Sequence, residues 1–494
     1  MTGKYLLAID QGTSSSRTVI YDHETRVVAS AQQEFPQHYP RPGWVEHDAE
    51  EIWTSVQAVT REAMATAGAK AADISGIGIS NQRETTLIWD RKSGRCVHNA
   101  IVWQDRRTAP LCETLKAQGA EQIVQDKTGL RLDPYFSATK IAWILDNVDG
   151  ARAKADKGEL AFGTIDSFVL WRLSGGRVHA TDATNASRTL LFNIHTQEWD
   201  DELLALFNVP RSLLAEVHDC ASDFGHTDSD VLGGEVAVLG MAGDQQAALI
   251  GQAGFDEGTT KSTYGTGCFV LSNTGENALQ SRNKLLTTIA SRLGGKVTYG
   301  LEGSVFVAGS AIQWLRDSLC IIDSAAETEA VAIATGVVDD VHVVPAFAGL
   351  GAPYWDPHAR AAILGLTRGS TRNEIIAATL QAVAYQTRDL IDAMSDDGIS
   401  PSVIRVDGGM AMNNWFLQFL ADILGIPVER PTNTESTVLG AAYLAALQSG
   451  IIASTGDIAQ LWQRDAVFDP SMTGERRDAL IDGWRRAVAR VRSD

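Results

Sequence analysis

Short apolar runs that end in small polar residues recur along this chain, and they predict buried strands that carry loops at their C-terminal ends. Residues 5–9 (YLLAI) read as a strand; Asp10, Gln11, Gly12, Thr13 and three serines follow, and residues 17–21 resume as a second strand. The small residues then form a hairpin turn, either an ordinary tight one or one whose N–H groups and hydroxyls cradle an anion. Residues 27–35 add a third strand. Asp48 and Glu51 predict a capping pair for a helix carrying Ile52, Val56 and Val59 at helical spacing. Residues 74–80 (ISGIGIS) predict a strand that delivers Asn81, Gln82, Arg83 and Glu84 at its end. Residues 100–103 repeat that device with Trp103, a helix begins within residues 135–143, and residues 236–240 form a strand leading to Asp244. Open α/β sheets bind ligands at the carboxyl ends of their strands, which is where these residues fall.

A glycine-containing stretch without strong periodicity, residues 251–258, predicts a boundary between domains 1–253 and 254–494. Beyond it the opening pattern returns: a strand over 259–263, a turn through Gly265, Thr266 and Gly267, and a strand over 268–272. Thr371 and Glu374 predict a capping box for a long helix bearing Ile376, Leu380, Val383, Leu390, Ile391 and Met394. Residues 404–406 predict a strand ending in Asp407, Gly408 and Gly409. Helices are predicted over 413–424, closed by Gly425, and over 437–448, ending near Gly450.

A length of 494 residues exceeds one ordinary core and fits two large domains. The formal charge of −19 argues against nucleic acid or an anionic membrane as main partner. No apolar run reaches the roughly 18 residues of a membrane span. The five cysteines, at 96, 112, 220, 268 and 320, are scattered and without a C-x-x-C pair. With no secretory signal pattern at the N-terminus, they predict a reducing cytoplasm rather than a disulfide framework or zinc site.

The chain has no G-x-x-x-x-G-K-[ST] match and no complete G-x-G-x-x-G fingerprint. It has three glycine turns, each just after a strand: Gly12-Thr13, Gly265-Thr-Gly267 and Asp407-Gly408-Gly409. That order matches the actin-like (ribonuclease H-like) nucleotide fold. Two actin-like ATPase domains are therefore expected, with mixed sheets flanked by helices and the site in the cleft between them.

The pieces AIDQGTSSSR, GWVEHD, SNQRETT, WQDRRT, YFSATKIAW, GDQQAALIGQ, STYGTGCF, LEGSVFVAGSAIQWLRD and STVLGAAYLA resemble the FGGY family of carbohydrate kinases from end to end. The resemblance implies ATP-dependent phosphorylation of glycerol to sn-glycerol 3-phosphate, as part of glycerol uptake and catabolism. Phosphoryl transfer asks for positioning, charge neutralisation and a proton acceptor. The matching positions assign Asp244 as general base and Asp10 as the organiser of Mg²⁺. Thr13, Ser14, Ser15 and Arg17 would hold the phosphates of ATP. Thr266, Gly309, Gln313, Gly409, Met410 (through its backbone) and Asn414 would make the remaining nucleotide contacts. Arg83, Glu84, Tyr135, Asp244 and Gln245 would hydrogen-bond the triol, with Trp103 and Phe269 as its apolar wall. Taken alone, Asp244 could cap the helix after it, Gly309 and Gln313 could serve plain helix packing, Trp103 and Phe269 could be core aromatics, and Arg83–Glu84 could be a surface ion pair.

The resemblance further implies a homodimer or homotetramer. In some relatives a basic loop before the GDQQ strand binds fructose 1,6-bisphosphate. Here no Lys or Arg falls between Arg211 and Lys261, while Asp223, Asp228, Asp230 and Glu235 are acidic, so weak or absent inhibition is expected. The rival readings are an FGGY kinase for another polyol or a pentulose, and an actin-like ATP switch without catalysis.

Overall fold

The computed structural model describes residues 3–347, 349–356 and 358–493. Two mixed sheets dominate it. The first is built from β1 (Tyr5–Gln11), β2 (Ser15–Tyr21), β3 (Val27–Glu34), β4 (Ile74–Asn81) and β5 (Val238–Gly243), in the order β5-β4-β1-β2-β3. The second contains β6 (Thr260–Tyr264), β7 (Cys268–Gly275), β8 (Leu286–Leu293), β9 (Lys296–Val305), β10 (Ile404–Asp407), β11 (Val428–Pro431) and β12 (Arg464–Phe468). Its order is β8-β9-β7-β6-β10-β11-β12.

The two sheets share one plan. In the first, β1 and β2 form an antiparallel hairpin, β3 runs antiparallel to β2, and β4 and β5 add in parallel beyond β1. In the second, β6, β7, β9, β10 and β11 repeat those five strands in order and direction. The central strands are buried almost throughout because helices cover both faces, which explains their continuous apolar runs.

Six helices place the site. They are α1 (Ala49–Ala67), α2 (Asp244–Gly251), α3 (Gly309–Asp317), α4 (Arg372–Asp396), α5 (Asn414–Leu424) and α6 (Ser436–Ser449). The Thr371/Glu374 capping box opens α4. Asn413 caps α5 through its side chain, and Gly425 closes that helix at φ 72°. Helix α6 lies between β11 and β12 of the second sheet in sequence but packs on the first. Its Val438, Ala441, Ala442, Leu444 and Ala445 share a core with Leu6, Ala8, Ala242 and Ala247. It crosses α2 at backbone contact: a Cβ on Gly440 would lie 1.8 Å from Ala247 O, and one on Gly251 would lie 2.0 Å from Ser436 O. Only glycine permits that approach.

Three local expectations are corrected. Asp48 caps α1 through the Glu50 N–H, but Glu51 does not complete a box; its carboxylate turns to His38 Nε2 at 2.8 Å. Residues 100–103 do not form a strand of the main sheet. Only Ala100–Ile101 is extended, and it pairs with Glu46–His47 in a separate ribbon, a run too short to enter the five-stranded layer. The strand predicted over 236–240 is displaced to Val238–Gly243; Ala237 instead bridges His226, and the pairing with β4 shifts register between Val238 and Gly240. Among the described residues no helix is long and apolar enough to cross a membrane.

Candidate active site

The first glycine turn owes its polarity to where its carbonyls go. Gly12 O accepts from Gln82 Nε2 at 3.0 Å, Thr13 O from Gln37 Nε2 at 3.0 Å, Ser14 O from Phe35 N at 3.2 Å and Ser15 O from Gly12 N at 2.9 Å. With the oxygens bound back into the protein, the N–H groups of Thr13 and Ser14 have no acceptor among the described residues. Such a turn is a nest for an anion. Ser15 Oγ accepts from Gln32 Nε2, and Arg17 binds Gln32 and forms an ion pair with Glu435 of the second lobe.

The second turn repeats this chemistry. Thr266 O accepts from the N–H groups of Ala308 and Ser310, and Gly265 O from that of Gly309 at 2.9 Å. A Cβ on Gly309 would meet Gly265 O at 2.5 Å, so glycine is required where α3 begins. Beside the turn lies a cavity of about 480 Å³, lined by Thr266, Gly309, Gln313, Gly409 and Met410. Asn414 is not among its lining residues. Its side chain accepts from Arg430 at 2.9 Å, and its neighbour Asn413 lines the cavity instead. Glu329 and Arg316 also line it; Arg316 falls within the LEGSVFVAGSAIQWLRD piece, and Glu329 within none.

Asp10 stands at the end of β1, in register with Arg17 on β2 and Ser80 on β4. Burial, and then the nearby Asp244 carboxylate, push Asp10 up to about 7. Asp244 opens α2 directly after β5. Its Oδ1 forms an ion pair with Arg83 Nε at 3.0 Å and accepts from the Gln245 N–H at 2.7 Å. Its Oδ2 makes no hydrogen bond among the described residues.

Arg83 and Glu84 are not a surface pair: they are 2 % and 1 % exposed. Arg83 forms a fork with Glu302 of β9, Nη1–Oε2 at 2.5 Å and Nη2–Oε1 at 3.2 Å. Arg188 donates from Nε to Glu84 Oε1 at 2.6 Å and from Nη2 to Glu302 Oε1 at 2.8 Å. Burial raises Glu302, but Arg188 and Arg83 outweigh it and hold that carboxyl down at about 2. Glu84 goes the other way, raised by burial. Its backbone sits at φ 61°, a strained conformation for a residue with a side chain.

The aromatic residues close the pocket around these charges. Trp103 meets Tyr135 edge-on at 5.6 Å and Phe269 at 6.2 Å, and Arg83 lies over the Phe269 ring at 6.0 Å. Trp103 Nε1 donates to Thr13 Oγ1 at 2.9 Å, which ties the aromatic wall to the first turn. Lys261, buried and thereby lowered to about 8, donates to Gln245 Oε1 and so turns the amide nitrogen of Gln245 away from itself. The structure thus brings Asp10, Thr13, Arg83, Glu84, Trp103, Tyr135, Asp244, Gln245 and Phe269 together in one cluster of contacts. Sequence reasoning missed Arg188, Glu302 and Lys261. Glu302 lies within the LEGSVF piece, and a charge inside an otherwise apolar strand was the available signal.

Two family models match the chain: the FGGY family of carbohydrate kinases, N-terminal domain, over residues 5–251, and its C-terminal domain over residues 260–449. "Glycerol kinase 1" of Pseudomonas aeruginosa is 61% identical over 490 residues, 99% of each chain. Among solved structures, Plasmodium falciparum glycerol kinase with ADP superposes with a TM-score of 0.92 at 39% identity, covering 99% of this chain and 98% of that one. Gluconate kinase from Lactobacillus acidophilus gives a TM-score of 0.87 at 22% identity, over 98% and 97% of the two chains, and so shares the fold.

Proposed function

The chain belongs to the FGGY family of carbohydrate kinases, and from that premise we propose that it phosphorylates glycerol, with ATP as the donor. The reading is carried by full-length relatives about 60% identical that bear the name glycerol kinase. The pocket supports it. A triol needs charged hydrogen-bond partners on one side and an apolar wall on the other. Arg83, Glu84, Tyr135, Asp244 and Gln245 supply the first, Trp103 and Phe269 the second. The gluconate and xylulose kinases, at 22% identity, share the fold and lend no support to their own substrates here.

Asp244 is the proton acceptor in this proposal. Arg83 and the Gln245 N–H hold Oδ1, so Oδ2 takes the proton from the terminal hydroxyl as that oxygen attacks the γ-phosphorus. The product is sn-glycerol 3-phosphate. The N–H groups of the two glycine turns, with the hydroxyls of Thr13, Ser14, Ser15 and Thr266, hold the phosphates. Gly309, Gln313, Gly409, Met410 and Asn414 complete the nucleotide site. Trp103 and Phe269 exclude water, which suppresses wasteful hydrolysis of ATP.

Magnesium fits the donor set. Asp10 and Asp244 are two nearby carboxylates whose mutual repulsion a divalent cation relieves. Asp10 would hold it through water, and when bound it would neutralise charge on the transferring phosphates. We divide the chain at 253/254, which the two family models and the passage from α2 to β6 support. All five cysteines are unpaired, which supports a reducing cytoplasm. A homodimer or homotetramer is the assembly the family resemblance implies, and sedimentation velocity reads it directly.

The test is a polyol panel followed by ADP release, with wild type and Asp244→Asn. Turnover confined to glycerol, lost by about 10²–10⁴-fold in the variant while glycerol still protects against unfolding, is the expected result. Turnover of a pentulose but not glycerol overturns the substrate. Near-normal turnover by the variant removes Asp244 as the base.

A further inference from the structure

Beneath the polyol pocket four charged side chains form a closed set drawn from both lobes. Arg83, Glu84 and Arg188 come from the first lobe; Glu302 comes from β9 of the second. All four are at most 2 % exposed, and their charges cancel. Glu302 holds both guanidinium groups at once, Arg83 through two bonds and Arg188 through one. Each bond has a consequence one step further on. The fork to Glu302 fixes the plane of Arg83, whose Nε then reaches Asp244 Oδ1. The bond from Arg188 Nε occupies Glu84 Oε1, which leaves Oε2 as that carboxylate's acceptor for a hydroxyl. Arg188 Nη1 is buried without a hydrogen-bond partner among the described residues, so the set is not merely a satisfied structural cluster. The Arg188 guanidinium also lies 5.7 Å from the Tyr135 ring centre, directly behind a second polyol contact.

We infer that Glu302 and Arg188 are positioning residues for the polyol. Glu302 aligns Arg83, and through it Asp244, while Arg188 orients Glu84. Because Glu302 belongs to the second lobe, the pocket is complete only with the lobes together. This rests on the glycerol-phosphorylating reading above and assigns two residues that reading does not use. A neutral amide at 302 keeps an oxygen that can accept both Nη2 donors, but its NH₂ opposes Arg83 Nη1 in place of Oε2, and the charge that balances the two guanidinium groups is lost. Removing one charge from a buried, hydrogen-bonded pair is strongly felt at a binding site.

The experiment compares wild type, Glu302→Gln, Glu302→Asp and Arg188→Lys. The readouts are KM for glycerol and ATP, the thermal shift given by each, and the preference for glycerol over propane-1,3-diol, which lacks the middle hydroxyl. For Glu302→Gln we expect glycerol KM to rise at least about thirtyfold while ATP KM changes less than about threefold. Preference over the diol should fall about tenfold, and Glu302→Asp, which keeps the charge, should recover part of each loss. Arg188→Lys keeps the charge but loses the two-ended bridge from Glu84 to Glu302, so it should show the same selective rise; it carries the test if Glu302→Gln does not fold. An unchanged glycerol KM, or equal rises in both KM values with a lower melting temperature and unchanged preference, overturns the inference. A wild type that fails to phosphorylate glycerol overturns the earlier reading instead.

Discussion

Gly440→Ala reverses the usual sign of its substitution. In an open helix interior, alanine for glycine stabilises by about 0.8–1 kcal/mol. At Gly440 the new Cβ would lie 1.8 Å from Ala247 O, which falls 1.2 Å short of the 3.0 Å floor for such contacts. The atom it meets is backbone, so no side-chain rotation relieves it, and α2 and α6 must move apart. Overpacking of this kind costs about 1–3 kcal/mol, and a backbone contact this short takes the upper end, which leaves a net loss of about 2 kcal/mol after the propensity gain. Unfolding entropy is about 2.1 cal/mol/K per residue, so a lobe of roughly 250 residues should melt about 4 °C lower. Turnover should fall as well, because Asp244 sits at the start of the displaced α2. Gly456→Ala is the control: its Cβ meets nothing nearer than Ser454 Oγ at 3.5 Å, and its melting temperature should hold or rise. Differential scanning fluorimetry and a coupled ADP-release assay read both quantities. A Gly440→Ala protein that melts at or above wild type, or a control that falls equally, would refute the steric argument.

Asp389 gives a pH prediction. Trp484 Nε1 and Tyr354 OH both donate to its Oδ2, at 2.8 and 2.9 Å, and burial raises its carboxyl from 3.8 to about 6. The folded state then binds more protons than the unfolded one between those values, so stability falls as pH rises from about 4 to 6 and is level beyond. Asp389→Asn keeps an acceptor for both donors. It should stabilise at pH 8 by up to about 3 kcal/mol and by nothing at pH 4; melts at the two pH values check this, and equal effects at both reject it. Trp103→Phe removes the bond to Thr13 Oγ1 while keeping the apolar wall. It should raise KM for ATP and for glycerol by about two- to tenfold each, and an effect on glycerol alone would argue against the link. Fructose 1,6-bisphosphate should inhibit weakly or not at all. Between Arg211 and Lys261 there is no Lys or Arg, and Arg177, which reaches this loop, is bound to Asp228 at 2.9 Å. Inhibition at low micromolar concentration in a steady-state assay would contradict it.

Much of the fold was legible because its strands are buried on both faces and so read as unbroken apolar runs, as in ISGIGIS. The repeated hairpin was legible because each one places glycine at the same step after a strand. The capping box at Thr371 and the glycine stop at Gly425 are local chemistry, and the structure has both. What escaped was non-local. Glu51 fits a capping box by spacing, but His38, thirteen residues earlier in the chain, competes for its carboxylate. Glu302 and Arg188 meet across 114 residues of sequence, a separation that no spacing rule spans. Nor does periodicity reveal that α6, late in the chain, covers the sheet formed by its beginning.

The quartet beneath the polyol pocket limits how this enzyme can be retailored. Its charges balance internally, so neutralising any one member strands an odd charge in the buried interior, and compensating for it demands concerted change in both lobes. Phe269 opposite carries no such obligation, whereas Trp103 is bound to Thr13 Oγ1 of the first turn. Widening the acceptor range toward longer sugar alcohols is therefore a matter of trimming Phe269, with the ionic floor left untouched.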